Sequence, residues 1–133
     1  MQDLYIPASN ETPEVHFDFS AHRLALRGES YPENAMAFYA PVRASLAGYL
    51  ERVPAGGAID VEIALRYFNS SSTKLIRALV AMLNAAAAAG RRVRLAWHHD
   101  ADDDMMIEFG ADLREEHDAI EFRTVAAAAA CAA

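Results

Sequence analysis

The sequence has one cysteine, no excess of basic charge and no long apolar run, and each shortage closes off a class of protein. With Cys131 alone among 133 residues, no disulfide can form within the chain, and a reducing, cytoplasmic setting is expected. Acidic residues outnumber Lys and Arg by 19 to 12, a formal net charge of -7. That balance argues against a nucleic-acid surface, which would work by neutralising phosphates. The alanine runs at Ala85 to Ala89 and Ala126 to Ala133 fall far short of the ~20 apolar residues that cross a bilayer. The opening MQDLYIPASNETPEV lacks the charged start and apolar segment of a secretory signal, so neither export nor a membrane partner is expected. A Gly-x-Ser-x-Gly elbow, a glycine-rich phosphate loop and a fixed-period repeat are also missing, and His16, His22 and His117 stand isolated. Catalysis has no obvious residues and no cofactor is implied.

What is present reads as one α/β domain, long enough to bury a core of its own. Leu4 to Ile6 suits a short strand. VHFDF and HRLALRG alternate apolar and polar residues around Ser20 and Ala21, as the arms of a hairpin do. The period then changes: Met36, Tyr39, Val42, Leu46, Tyr49 and Leu50 recur at helical spacing behind Asn34, a suitable cap. Pro41 is expected to kink or divide that helix, and PAGG at Pro54 to Gly57 ends it. AIDVEIALRYF is the strongest strand, with Ile59, Val61, Ile63, Leu65 and Tyr67 on one face. Ala64 and Phe68 make the other face apolar too, so both faces are expected to be buried. A helix marked by Leu75, Leu79, Met82, Leu83 and Ala86 ends at Gly90. A strand RVRLAWH, a helix DDDMMIEFGADLREEH and a strand AIEFRTV complete the chain. Strands separated by helices of this length pair in parallel through right-handed crossovers. The expected fold is therefore a mixed β-sheet with an N-terminal antiparallel hairpin and helices from βα units. It occupies residues 1–125, ahead of a disordered alanine-rich tail at 126–133.

Between the best strand and the helix after it lies NSSST, Asn69 to Thr73. A strand-to-helix turn aims free amides and the positive end of the helix dipole at whatever occupies it. Two readings fit these residues. In one, Ser70 or Ser71 is the helix cap and the other hydroxyls are polar turn residues. In the other, one serine carries a phosphate of about two negative charges. Lys74 opposes the helix dipole while the serines are bare and would pair with a phosphate placed there, with Arg77 one turn on able to assist.

Two further stretches carry side chains of interest. WHHDADDDMMIE, Trp97 to Glu108, sets His98 and His99 beside Asp100, Asp102, Asp103 and Asp104. These are ligand types for a divalent metal, so a metal-dependent hydrolase is an alternative function. Against it, adjacent histidines on a strand point to opposite faces, and the aspartates suit a solvated helix start. GESYPENAMAFY is a strand-to-helix connection stiffened by Pro32 and capped by Asn34. Its tyrosines fit either a core or a partner interface.

Taken together, TPEVHFDF, GESYPENAMAFYAPV, LRYFNSSSTK and WHHDADDDMMIEFG resemble, in order and spacing, the SiaC family of bacterial regulatory phosphoproteins. The resemblance runs from about Leu4 to Phe122, and SYPEN and YFNSSS are its most specific strings. It implies a STAS-like fold, similar to anti-sigma-factor antagonists, and a non-catalytic role. It also implies a circuit: a cognate Ser/Thr kinase adds a phosphate, a PP2C-type phosphatase removes it, and the unmodified protein binds and activates a diguanylate cyclase. Cyclic di-GMP then rises and affects aggregation and biofilm behaviour. Position by position, the acceptor hydroxyl is Ser70, which follows Asn69, ahead of Ser71, Ser72 and Thr73. Tyr31, Pro32, Glu33, Asn34, Asn69, Ser71 and Lys74 form the implied partner surface. Serine stands where some members have threonine, His98 and His99 depart from an aromatic often seen there, and the alanine-rich tail has no counterpart. A STAS-like module that binds its partner constitutively is the third alternative.

Overall fold

The alternating segments near the N-terminus close as expected, and the rest of the sheet grows from them strand by strand. The computed structural model describes residues 3–127. β1 (Leu4–Ile6) pairs antiparallel with β2 (Glu14–Asp18), and β2 with β3 (Arg23–Ser30), Phe17 opposite Leu24 and Val15 opposite Leu26. α1 (Ala35–Arg52), β4 (Ala58–Phe68), α2 (Ser70–Ala88), β5 (Arg92–Asp100), α3 (Asp104–Glu116) and β6 (Glu121–Ala127) follow. β3 to β6 are parallel, and the six strands lie in the sheet in the order of the chain. The mixed α/β fold is the one expected.

A sequential strand order with right-handed crossovers puts all three helices on one face of the sheet. The other face is open, and this corrects the expectation that β4 is buried on both sides. Ile59, Val61, Ile63 and Leu65 are buried under α1 and α2, whereas Asp60 and Arg66 are exposed and Glu62 is half-exposed. One row across the open face reads Asp18, Arg23, Asp60, Arg94, Glu121 from β2 to β6. Charges of alternating sign keep this face wet and its neighbours compatible. Arg27 joins Glu14 at 3.0 Å and Glu62 at 2.7 Å, and Arg94 joins Asp60 at 2.9 Å.

Tyr67 does not share the buried face either. The β3–β4 register slips between Gly28 and Glu29, so that Leu65, Arg66 and Tyr67 stand against only two residues. This bulge inverts the alternation at the end of β4. Tyr67 turns outward, while Phe68 turns inward and meets Phe109 at 4.8 Å and Trp97 at 6.4 Å between ring centres. Met36 likewise leaves the expected helical stripe, since Ala35 takes the buried position one turn before Tyr39. Pro41 does not divide α1, which runs unbroken through it. β6 takes in Ala126 and Ala127, which pair with His99 and Asp100; the remainder of the expected tail, with Cys131, lies outside the described residues.

Candidate functional site

The turn from β4 into α2 is built around Asn69, which corrects the assignment of the cap to a serine. Asn69 has extended backbone angles, φ −84 and ψ 174, and its Oδ1 accepts the Ser72 amide at 2.9 Å. Its carbonyl receives the Thr73 amide and, at 3.1 Å, the Thr73 hydroxyl. Asparagine and serine are about equal as caps, and here the cap lies one residue before the run of serines. The amides of Ser70 and Ser71 keep no partner within the helix, as the first amides of a helix do not.

The four hydroxyls are thereby sorted. Ser72 is fully buried and its Oγ accepts from Ser30 Oγ at 2.8 Å; Thr73 is half-buried and bonded to the Asn69 carbonyl. Ser70 and Ser71 are exposed, and neither hydroxyl has a hydrogen-bond partner among the described residues. Of the four, only these two are exposed. Lys74, exposed and one turn beyond Ser70, forms no ion pair among the described residues. Arg77 does not assist it: its guanidinium bonds Glu116 on α3, at 2.9 Å to Oε2, and lies 4.7 Å from the Phe109 ring centre.

The expected Tyr31 to Asn34 loop is adjacent. Ser30 ends β3 opposite Phe68, and its carbonyl accepts the Asn69 amide at 3.0 Å, which ties the two connections together. Tyr31 is exposed, with its ring 5.8 Å from that of Tyr67, and Glu33 is exposed beside it. Pro32 is buried and so supports the loop from within. Asn34 caps α1 as expected, accepting the Ala37 amide at 3.1 Å.

The structure adds Met36, Tyr67, Met105 and Ile107 to the surface expected at Tyr31. Tyr31, Met36, Tyr67, Met105 and Ile107 are five of the six large apolar side chains left exposed among the described residues, Tyr5 being the sixth. Tyr31 and Tyr67 lie at the C-terminal ends of β3 and β4, and Met36, Met105 and Ile107 in the first turns of α1 and α3, at the same edge of the sheet. Open parallel sheets characteristically bind their ligands at this edge, and a concentration of apolar side chains there marks an interaction surface. Met105 is 82% exposed beside buried Met106. The Met pair at a helix start was the available signal, for only one of two neighbours can face the core.

The histidine and aspartate stretch does not assemble a metal centre. His98 Nε2 lies 3.9 Å from Glu62 over the open face, His99 Nδ1 is 2.7 Å from the Asp100 carbonyl oxygen, and Asp103 caps α3 by accepting the Met106 amide at 3.2 Å. Among the described residues no group of three His, Cys, Asp or Glu side chains converges as metal ligands would. None of the helices described is long and apolar enough to cross a membrane.

Residues 6–127 match the family model for the SiaC family regulatory phosphoprotein. The chain is 36% identical over 118 residues to an uncharacterized protein of Pseudomonas aeruginosa strain UCBPP-PA14, covering 87% of this chain and 90% of that one. Among solved structures it is similar to SiaC of Pseudomonas aeruginosa, with 30% identity, a TM-score of 0.82 and coverage of 96% and 99%. It is also similar to a chain in the crystal structure of diguanylate cyclase SiaD in complex with its activator SiaC from the same species. There the identity is 30%, the TM-score 0.81 and the coverage 95% and 99%.

Proposed function

The chain belongs to the SiaC family of regulatory phosphoproteins, and on that premise we propose that it is a non-catalytic signalling protein whose binding to a diguanylate cyclase is switched by phosphorylation of Ser70. The observation that carries the reading is the outward placement of Ser70, with Ser71, on the same edge as the exposed apolar side chains. A bare serine hydroxyl enters an apolar interface at small cost. A phosphate there brings about two negative charges that must be stripped of water. A difference of ~3 kcal/mol between the two states is a change in affinity of more than a hundredfold. Ser70 is preferred to Ser71 because it directly follows Asn69, as the family acceptor does.

The cyclase partner is supported by the relative that is described as the activator of SiaD. A Ser/Thr kinase and a PP2C-type phosphatase, acting in the cytoplasm, complete the proposed cycle. Its output is the level of cyclic di-GMP, and through it aggregation and biofilm formation. Intact mass and phosphosite mapping of the protein isolated from its native cell test the switch. One phosphate on Ser70, present in a fraction that changes with growth condition, is the expected result. Protein that never carries phosphate would leave constitutive binding as the account, and phosphate outside Asn69 to Thr73 would move the site elsewhere.

A further inference from the structure

A chain of hydroxyls beneath the switch turn takes no part in the binding just proposed. Tyr39 on α1, Ser30 at the end of β3 and Ser72 in the first turn of α2 are all fully buried. Tyr39 OH lies 2.7 Å from Ser30 Oγ, and Ser30 Oγ donates to Ser72 Oγ at 2.8 Å. A hydroxyl has one proton to give, so Tyr39 donates to Ser30. Ser30 thus grips the turn twice, through its side chain to Ser72 and through its carbonyl to the Asn69 amide.

Burying three hydroxyls is costly unless each is paired, and a fully paired network fixes one arrangement of the groups around it. Successive residues of a helix point about 100° apart, so holding Ser72 inward also fixes where Ser70 and Ser71 point. We propose that the Tyr39–Ser30–Ser72 chain is a positioning device that selects the modified hydroxyl, keeping Ser72 out of reach and presenting Ser70. The proposal rests on the reading that this turn is phosphorylated.

Tyr39→Phe removes one oxygen and keeps the ring, and Ser30→Ala cuts the chain at its centre. Hydrogen exchange of the purified proteins is the first measurement. The bonded amides of the turn, those of Asn69, Ser72 and Thr73, are expected to exchange about tenfold faster in either variant, relative to the amides of β5 in the same molecule. Phosphosite mapping of the variants from the native cell is the second. Phosphate confined to Ser70 in the parent protein is expected to spread to Ser72 in the variants, a change that a general loss of stability does not produce. Exchange that rises equally in β5 and the turn, or an unchanged site distribution, overturns the proposal. Should the parent protein and the variants all lack phosphate, the proposed function fails, and with it the selection of a modified hydroxyl. If Ser30→Ala does not fold, Tyr39→Phe decides alone.

Discussion

Asn69 shows how closely the physics of the turn and its proposed use are intertwined, and how they can be separated. Because the cap is asparagine, Ser70 is free of a structural duty. Asn69→Ala is expected to cost about 1 kcal/mol through the lost cap, while Ser70→Ala stays within about 0.5 kcal/mol of the parent protein. Urea denaturation of both variants checks this, and a functional defect in Ser70→Ala is then not a folding defect. The serine run made the turn visible in the sequence but not the cap, since both residue types favour that position and only the backbone angles decide between them. A second residue-scale prediction concerns alkaline pH. Burial pushes the Tyr39 and Tyr49 hydroxyls from the ordinary 10 up to about 12. A raised folded-state pKa contributes stability that is full below pH 10 and is lost as pH rises towards 12. Denaturation midpoints measured across that window should fall, and Tyr39→Phe should fall less steeply than the parent protein.

At the scale of elements, hydrophobic period located α1 and α2, and it failed where local irregularities act against it. The bulge opposite Gly28 and Glu29 reverses the facing of Tyr67 and Phe68, and nothing in a period-2 pattern announces a bulge. Pro41 is expected to kink or divide α1, yet α1 continues through it as one helix, because Tyr39, Val42, Leu46 and Tyr49 hold both halves to one core. The helix still lacks one amide donor, so Pro41→Ala is expected to stabilise the protein by about 1 kcal/mol or more, read as a rise in Tm. The junction of α3 with β5 allows no such freedom. A Cβ on Gly110 would lie 2.6 Å from Trp97 Cδ1, and Trp97 Nε1 donates to the Met106 carbonyl at 3.0 Å. Gly110→Ala should therefore cost roughly 1–3 kcal/mol by overpacking and shift the fluorescence of the protein's one tryptophan.

For the molecule as a whole, the order of strands and helices was legible because each element carried its own period and its own turn residues. The single helical layer was not, since Ala64 and Phe68 on β4's second face looked like evidence of burial. The charges on the same face, Asp60, Glu62 and Arg66, were the better guide. The candidate site was legible as a turn, and its proposed use as a switch came from the family resemblance. Its apolar surroundings emerged only when three connections, distant in sequence, met at one sheet edge. This arrangement divides the protein's labour: an open, charge-paired face stays in water, and the opposite layer packs the core. The edge between them offers Ser70 among exposed apolar groups. The most direct test is calorimetric titration of the diguanylate cyclase from the same cell with the unmodified protein and with protein phosphorylated stoichiometrically at Ser70. The account predicts that phosphorylation weakens binding at least about a hundredfold, and equal affinities for the two forms would contradict it.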